Sequence, residues 1–102
     1  MDAIDRSAVV VKLKQPFIDW ANSFEGPRFE ECSDWFNVYL LPDCESEEDE
    51  KRFLRKYFTK IFEGELTSWN LDKSTWPNIR DFKIFETWFE VSFHSLVFDL
   101  TL

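Results

Sequence analysis

Between Ala8 and Lys14 the chain reads Ala-Val-Val-Val-Lys-Leu-Lys, which puts Val9, Val11 and Leu13 on one side of an extended backbone. Consecutive β-branched residues favour that conformation, so the segment predicts a first strand. The period then changes. Pro16 suits the first turn of a helix, where its missing N–H costs nothing, and Phe17, Trp20, Ala21 and Phe24 recur at helical spacing until Gly26-Pro27 stops the run. Residues 28–34 show no clear period and read as a connection or a turn of helix. From Trp35 to Leu41 the alternation returns, with Phe36, Val38 and Leu40 on one face and Pro42 closing a second strand.

Ser46 followed by Glu47, Glu48 and Asp49 is a helix start: a hydroxyl placed to cap, then carboxylates at the positive end of the helix dipole. The helix carries Phe53, Leu54, Tyr57, Phe58, Ile61, Phe62, Leu66 and Trp69 in one broad stripe, with Glu47–Lys51 and Glu48–Arg52 as supporting i,i+4 pairs. Gly64 costs such a helix up to about 1 kcal/mol relative to Ala and marks where a break or kink would fall. Residues 70–78 are a loop by turn chemistry, pinned to the core by Trp76. Asp81 caps a third helix bearing Phe82, Phe85, Trp88 and Phe89, and Val91 to Leu100 form the last strand. In that strand Val91 and Phe93 hold odd positions while Leu96, Phe98 and Leu100 hold even ones, so a β-bulge near His94-Ser95 is expected to restore the phase.

The resulting order, β-α-β-α-α-β, predicts an α+β fold: a two-layer sandwich in which a three-stranded sheet is covered by helices, in a single domain over residues 1–102. Strand order is left open; parallel pairing of the first two strands would demand a right-handed crossover. A sheet of three strands has two edges, and a long apolar last strand is free to pair across a dimer axis, so a homodimer is one expectation.

Composition narrows the function classes. Nineteen aromatics, twelve of them Phe, are ample to build the core of a 102-residue domain. The formal charge of −8 repels phosphate, and nucleic-acid binding is not expected. No run of apolar residues is long enough to span a membrane, and Met-Asp-Ala-Ile-Asp-Arg lacks the basic-then-apolar order of a signal peptide, so the expected location is the cytoplasm. Cys32 and Cys44 form no CxxC pair and are expected as free thiols. Six acids in the eight residues 43–50 are followed by five cations by residue 60, which reads as a salt-bridge-laced helix start ahead of a docking surface for a basic partner.

Candidate chemistry is sparse. Glu86, Glu90 and His94 share a period of four, yet the strand at Val91 interrupts it and helical metal sites space Glu and His by three, so no metal is expected. Glu63 and Glu65 flank Gly64 and read as a solvated face rather than an acid–base pair. Ser95 beside His94 points to the opposite side of a strand and lacks a nucleophile elbow. The acids around both cysteines oppose thiolate formation. Two glycines exclude the usual phosphate loops, and no cofactor is expected. Trp20, Trp69 and Trp88 lie on apolar helix faces and read as core, whereas Trp35 and Trp76, at a strand start and in a loop, are the interface candidates.

Gln15-Pro16-Phe17-Ile18-Asp19-Trp20, Val38-Tyr39-Leu40-Leu41-Pro42, Trp76-Pro77 and the run Trp88 to Leu100 resemble a family of small bacterial conserved hypothetical proteins, over most of the chain. The resemblance implies a bacterial cytosolic origin and a stand-alone domain, and it transfers no activity and no catalytic residue. The expected function is that of an acidic, non-catalytic module binding another protein. The alternative is a small-ligand or metal-assisted site drawn from Trp88, Glu90, His94, Ser95 and Asp99.

Overall fold

The computed structural model describes residues 2–26, 36–78 and 80–102. The valine-rich segment becomes the central strand of a three-stranded antiparallel sheet. Strand β1 (Asp2–Ala3) precedes it, β2 (Arg6–Leu13) is the centre, and β3 (Phe36–Pro42) and β4 (Phe89–His94) are its neighbours. A last short strand, β5 (Phe98–Asp99), pairs with β1 in a separate two-stranded ribbon. Helices α1 (Gln15–Asn22), α2 (Glu47–Trp69) and α3 (Phe82–Trp88) complete the α+β architecture.

Each helix boundary has a local cause. Pro16 lies in the first turn of α1, and Gly26 beyond its end adopts a φ of +119°, a conformation glycine enters without a Cβ penalty. Phe24 therefore falls outside the helix. Ser46 Oγ accepts from Asp49 N at 3.2 Å to open α2, while Asp49 accepts in return from Glu45 N at 3.1 Å. Arg52 pairs with Asp49 at 3.1 Å, three residues away, rather than with Glu48. Asp81 caps α3 by accepting from Ile84 N at 2.9 Å.

Helix α2 runs unbroken through Gly64, so the expected break does not occur. A Cβ there would sit 3.6 Å from the Tyr39 hydroxyl, an ordinary contact. Gly64→Ala is accordingly expected to stabilise the protein by about 0.5–1 kcal/mol, the helix-propensity difference, in a chemical denaturation series. A loss of stability would mean that the approach of Tyr39 requires glycine.

The helices cover one face of the sheet. Val9 and Val11 of β2, Leu41 of β3 and Phe89 of β4 are buried with Phe17 and Ala21 of α1, Leu54, Ile61, Phe62 and Leu66 of α2, and Phe85 of α3. Phe62 stands edge-on to Phe89 at 5.2 Å between ring centroids, and Phe85 lies 5.0 Å from Phe89. Such aromatic pairs add roughly 0.5–1.5 kcal/mol each beyond the area they bury. Indole N–H groups tie the helical layer together: Trp20 donates to Thr75 O at 2.8 Å, and Trp69 donates to Ala21 O at 2.9 Å.

One expectation is corrected. The last strand is not one bulged element from Val91 to Leu100: β4 ends at His94, and after residues 95–97 the chain re-enters as β5 on a different partner. The phase change in the sequence marks a strand that leaves its sheet, so no bulge is needed. The strand order left open by the sequence is β3-β2-β4, with β2 antiparallel to both neighbours.

Candidate functional site

The register of the sheet assigns every side chain to a face. Val9 pairs with Tyr39 and Phe93, and Val11 pairs with Asn37 and Val91, so these residues face the helices. The other face is built of three cross-strand rows: Phe36–Lys12–Glu90, Val38–Val10–Ser92 and Leu40–Ala8–His94. Among the described residues no helix covers it. Phe36, Val38 and Leu40, which the alternation groups together, are therefore exposed at 50%, 62% and 57% of their surface. Exposed apolar residues are ordinary when scattered; three in line on one strand form a patch of the kind that marks an interaction site.

Polarity changes across this open face. The β3 side is apolar, β2 is mixed, and β4 presents Glu90, Ser92 and His94. Lys12 extends its ammonium over the Phe36 ring, 5.4 Å from the centroid. A shallow depression of about 230 Å³ lies beside them, lined by Val10, Lys12, Phe36, Glu90, Val91 and Ser92.

Beneath β3, on the helix side, lies a buried carboxyl that the reading of Glu65 as solvated missed. Glu65 of α2 is 2% exposed. Asn37 Nδ2 donates to both of its oxygens at 2.9 Å, and Tyr39 Oη donates to Oε1 at 2.7 Å. All three bonds are accepted by the carboxyl, the pattern of a carboxylate, and they fasten the edge strand to the helix. Burial first, then Glu65, raises the Tyr39 phenol far above its ordinary range. The signal was present in the spacing: Ile61, Phe62, Glu65, Leu66 and Trp69 form one continuous stripe, and a carboxylate inside an apolar stripe must be either exposed by a break or buried with donors.

Where β3 ends, a cleft of about 550 Å³ opens between the strand and α2, with Leu41, Pro42 and Ile61 as apolar floor and Arg6, Lys60 and Asp43 among its polar groups. Tyr57 stands in its wall with Lys56 and Lys60 near its ring, at 5.3 Å and 6.0 Å from the centroid.

The residues proposed from sequence do not converge. Trp88 packs in the aromatic core, 5.7 Å from Phe62. Glu90 and His94 stand on the opposite face of the sheet, exposed, and His94 Nε2 lies 3.3 Å from Ser92 Oγ. Ser95 is exposed beside the start of α2, near Cys44 and Ser46. Asp99 belongs to the β1–β5 ribbon, where its carboxylate accepts from Thr101 Oγ1 at 2.5 Å and Thr101 N at 2.8 Å; those bonds hold it below the usual carboxylate range. Among the described residues no three His, Cys, Asp or Glu side chains form a metal-binding group.

Trp76 is 7% exposed and donates its indole N–H to Asn70 O at 2.9 Å, which makes it the pin of its loop and leaves little of it for an interface. Trp35 and Cys32 lie outside the described residues. Cys44 is a buried free thiol that donates to Pro42 O at 3.3 Å. Burial pushes that thiol up; a bond with Ser7 opposes the shift, and Glu50, Asp49 and Asp43 reinforce it. No helix among the described residues is long and apolar enough to cross a membrane. Comparison with known protein families, curated proteins and solved structures finds no match for this chain.

Proposed function

We propose that this chain is a small, acidic, non-catalytic protein-interaction module of the bacterial cytosol, and that it docks through the open face of its sheet. The observation that carries this reading is the line of Phe36, Val38 and Leu40, each half exposed or more on an otherwise ordered strand. Burying such side chains stabilises a complex by roughly 1.5–3 kcal/mol apiece at full burial, before the cost of association. The alternative, a small-ligand or metal-assisted site at Glu90 and His94, has no metal-binding cluster among the described residues and only the shallow depression beside Glu90. The burial of Trp76 supports reading the interface on β3 rather than on that side chain.

The test is capture from a lysate of the source organism by tagged protein and by a Val38→Asp variant whose fold is verified by circular dichroism. A partner held by the wild-type chain is expected to be lost from the variant at least tenfold, because a carboxylate at the centre of the patch must be desolvated without a partner. Retention of the same partner by the variant would place the interface elsewhere.

A further inference from the structure

We infer that the occupant of the open face is a second copy of this chain, related by a two-fold axis that runs across the strands above the row Val38–Val10–Ser92. This rests on the reading of the open face as a docking surface. Two sheets stacked face to face by a dyad can be arranged in two aligned ways. An axis parallel to the strands lays β3 on β4, which sets Phe36 over Glu90, Val38 over Ser92 and Leu40 over His94 of the second copy, apolar on polar throughout. An axis perpendicular to the strands lays each strand on its own copy in the opposite direction. Val38 then meets Val38, Val10 meets Val10, Phe36 meets Leu40, and Glu90 meets His94.

Only the second arrangement keeps the apolar edge strand β3 on apolar residues. It sets the imidazole of one copy against the carboxylate of the other, where a charge-assisted hydrogen bond can form twice by symmetry. The charge on the face itself points the same way. The chain carries −8, yet the three rows hold one cation, Lys12, and one carboxylate, Glu90, beside His94, so a second copy meets this face without like-charge confrontation. A strongly basic partner would instead be drawn to the acidic remainder of the surface.

The size of the face sets the strength. Three strands about 4.8 Å apart, each contributing a few residues at about 3.3 Å, give a footprint of roughly 300 Å² a side. That is well under the roughly 800 Å² per partner of a standard stable interface, so the dimer belongs to the weak, reversible class.

Sedimentation equilibrium over about 5–500 µM tests this on the wild-type chain, Val38→Asp, Glu90→Lys and the double variant Glu90→Lys, His94→Glu. The wild type is expected to move with concentration from 12.3 kDa toward twice that mass. Val38→Asp should remain monomeric throughout. Glu90→Lys, a change at an exposed position, should weaken the dimer about tenfold, and the double variant should recover it, because a carboxylate again faces a nitrogen donor across the interface. A wild-type chain that stays monomeric to the highest concentration overturns the dimer, and a lysate partner still lost on Val38→Asp would then leave the docking face itself standing. A dimer indifferent to Val38→Asp overturns both. A dimer sensitive to Val38→Asp whose Glu90→Lys form is not rescued overturns the axis.

Discussion

Phe62→Ala is expected to remove about 3–5 kcal/mol of stability. Phe62 is fully buried, and its ring lies 5.2 Å from Phe89, 5.7 Å from Trp88 and 6.1 Å from Phe85 between centroids. It is the point at which α2, α3 and β4 meet, so the cavity left behind is walled by three elements and cannot collapse by moving one of them. Against a total stability of about 5–15 kcal/mol this loss is a large share. For a domain this size it corresponds to a fall in melting temperature of more than about 10 °C. Urea denaturation followed by tryptophan fluorescence measures it. A loss under about 1.5 kcal/mol would mean that the three elements are not packed on one another as described.

Tyr39→Phe is expected to cost about 1.5–3 kcal/mol through the loss of one hydroxyl. The hydroxyl donates to a carboxyl that is almost completely buried, and its removal leaves Asn37 as the remaining side-chain donor in the network. The penalty is mainly the desolvated oxygen left short of a donor, which is why a surface Tyr→Phe change is no guide to its size. The same bond has a pH signature. The folded protein holds the Tyr39 proton more tightly than the unfolded chain, whose phenol titrates near pH 10. Stability from this source is therefore complete below about pH 10 and declines as pH rises beyond it, by up to about 1.4 kcal/mol per pH unit. The variant should show a flatter alkaline limb, and ultraviolet absorbance should find that Tyr39 resists ionisation. Equal alkaline slopes for both proteins would mean that the phenol is not held by Glu65.

These residues also show where sequence reading succeeds and where it stops. The caps at Ser46 and Asp81 were legible because a short polar side chain before an apolar stripe has one local use, and the order of main elements followed from periodicity. Alternation in β3 correctly grouped Phe36, Val38 and Leu40, but alternation says which residues share a face, not which face the helices take. That choice is made at a distance. Val9 and Val11 of β2 face the helices, the register pairs them with Tyr39 and Asn37, and Glu65 supplies the acceptor that lets those polar groups lie beneath the sheet. The more hydrophobic side of β3 is thereby left outward, against the usual expectation. The break between β4 and β5 was visible as a phase error, yet a bulge and a change of sheet leave the same trace in sequence, and only the pairing of β5 with β1 separates them.

The dimer through the open face is tested most directly by nitrogen-15 amide spectra of the labelled chain, recorded through a dilution series and assigned residue by residue. The expected result is that the concentration-dependent shifts fall on Phe36, Val38 and Leu40 with their row partners Ala8, Val10, Lys12, Glu90, Ser92 and His94, while Arg6, Tyr57, Lys60 and Ile61 of the cleft stay still. Spectra unchanged across the series, or shifts confined to that cleft or to the β1–β5 ribbon, would contradict it.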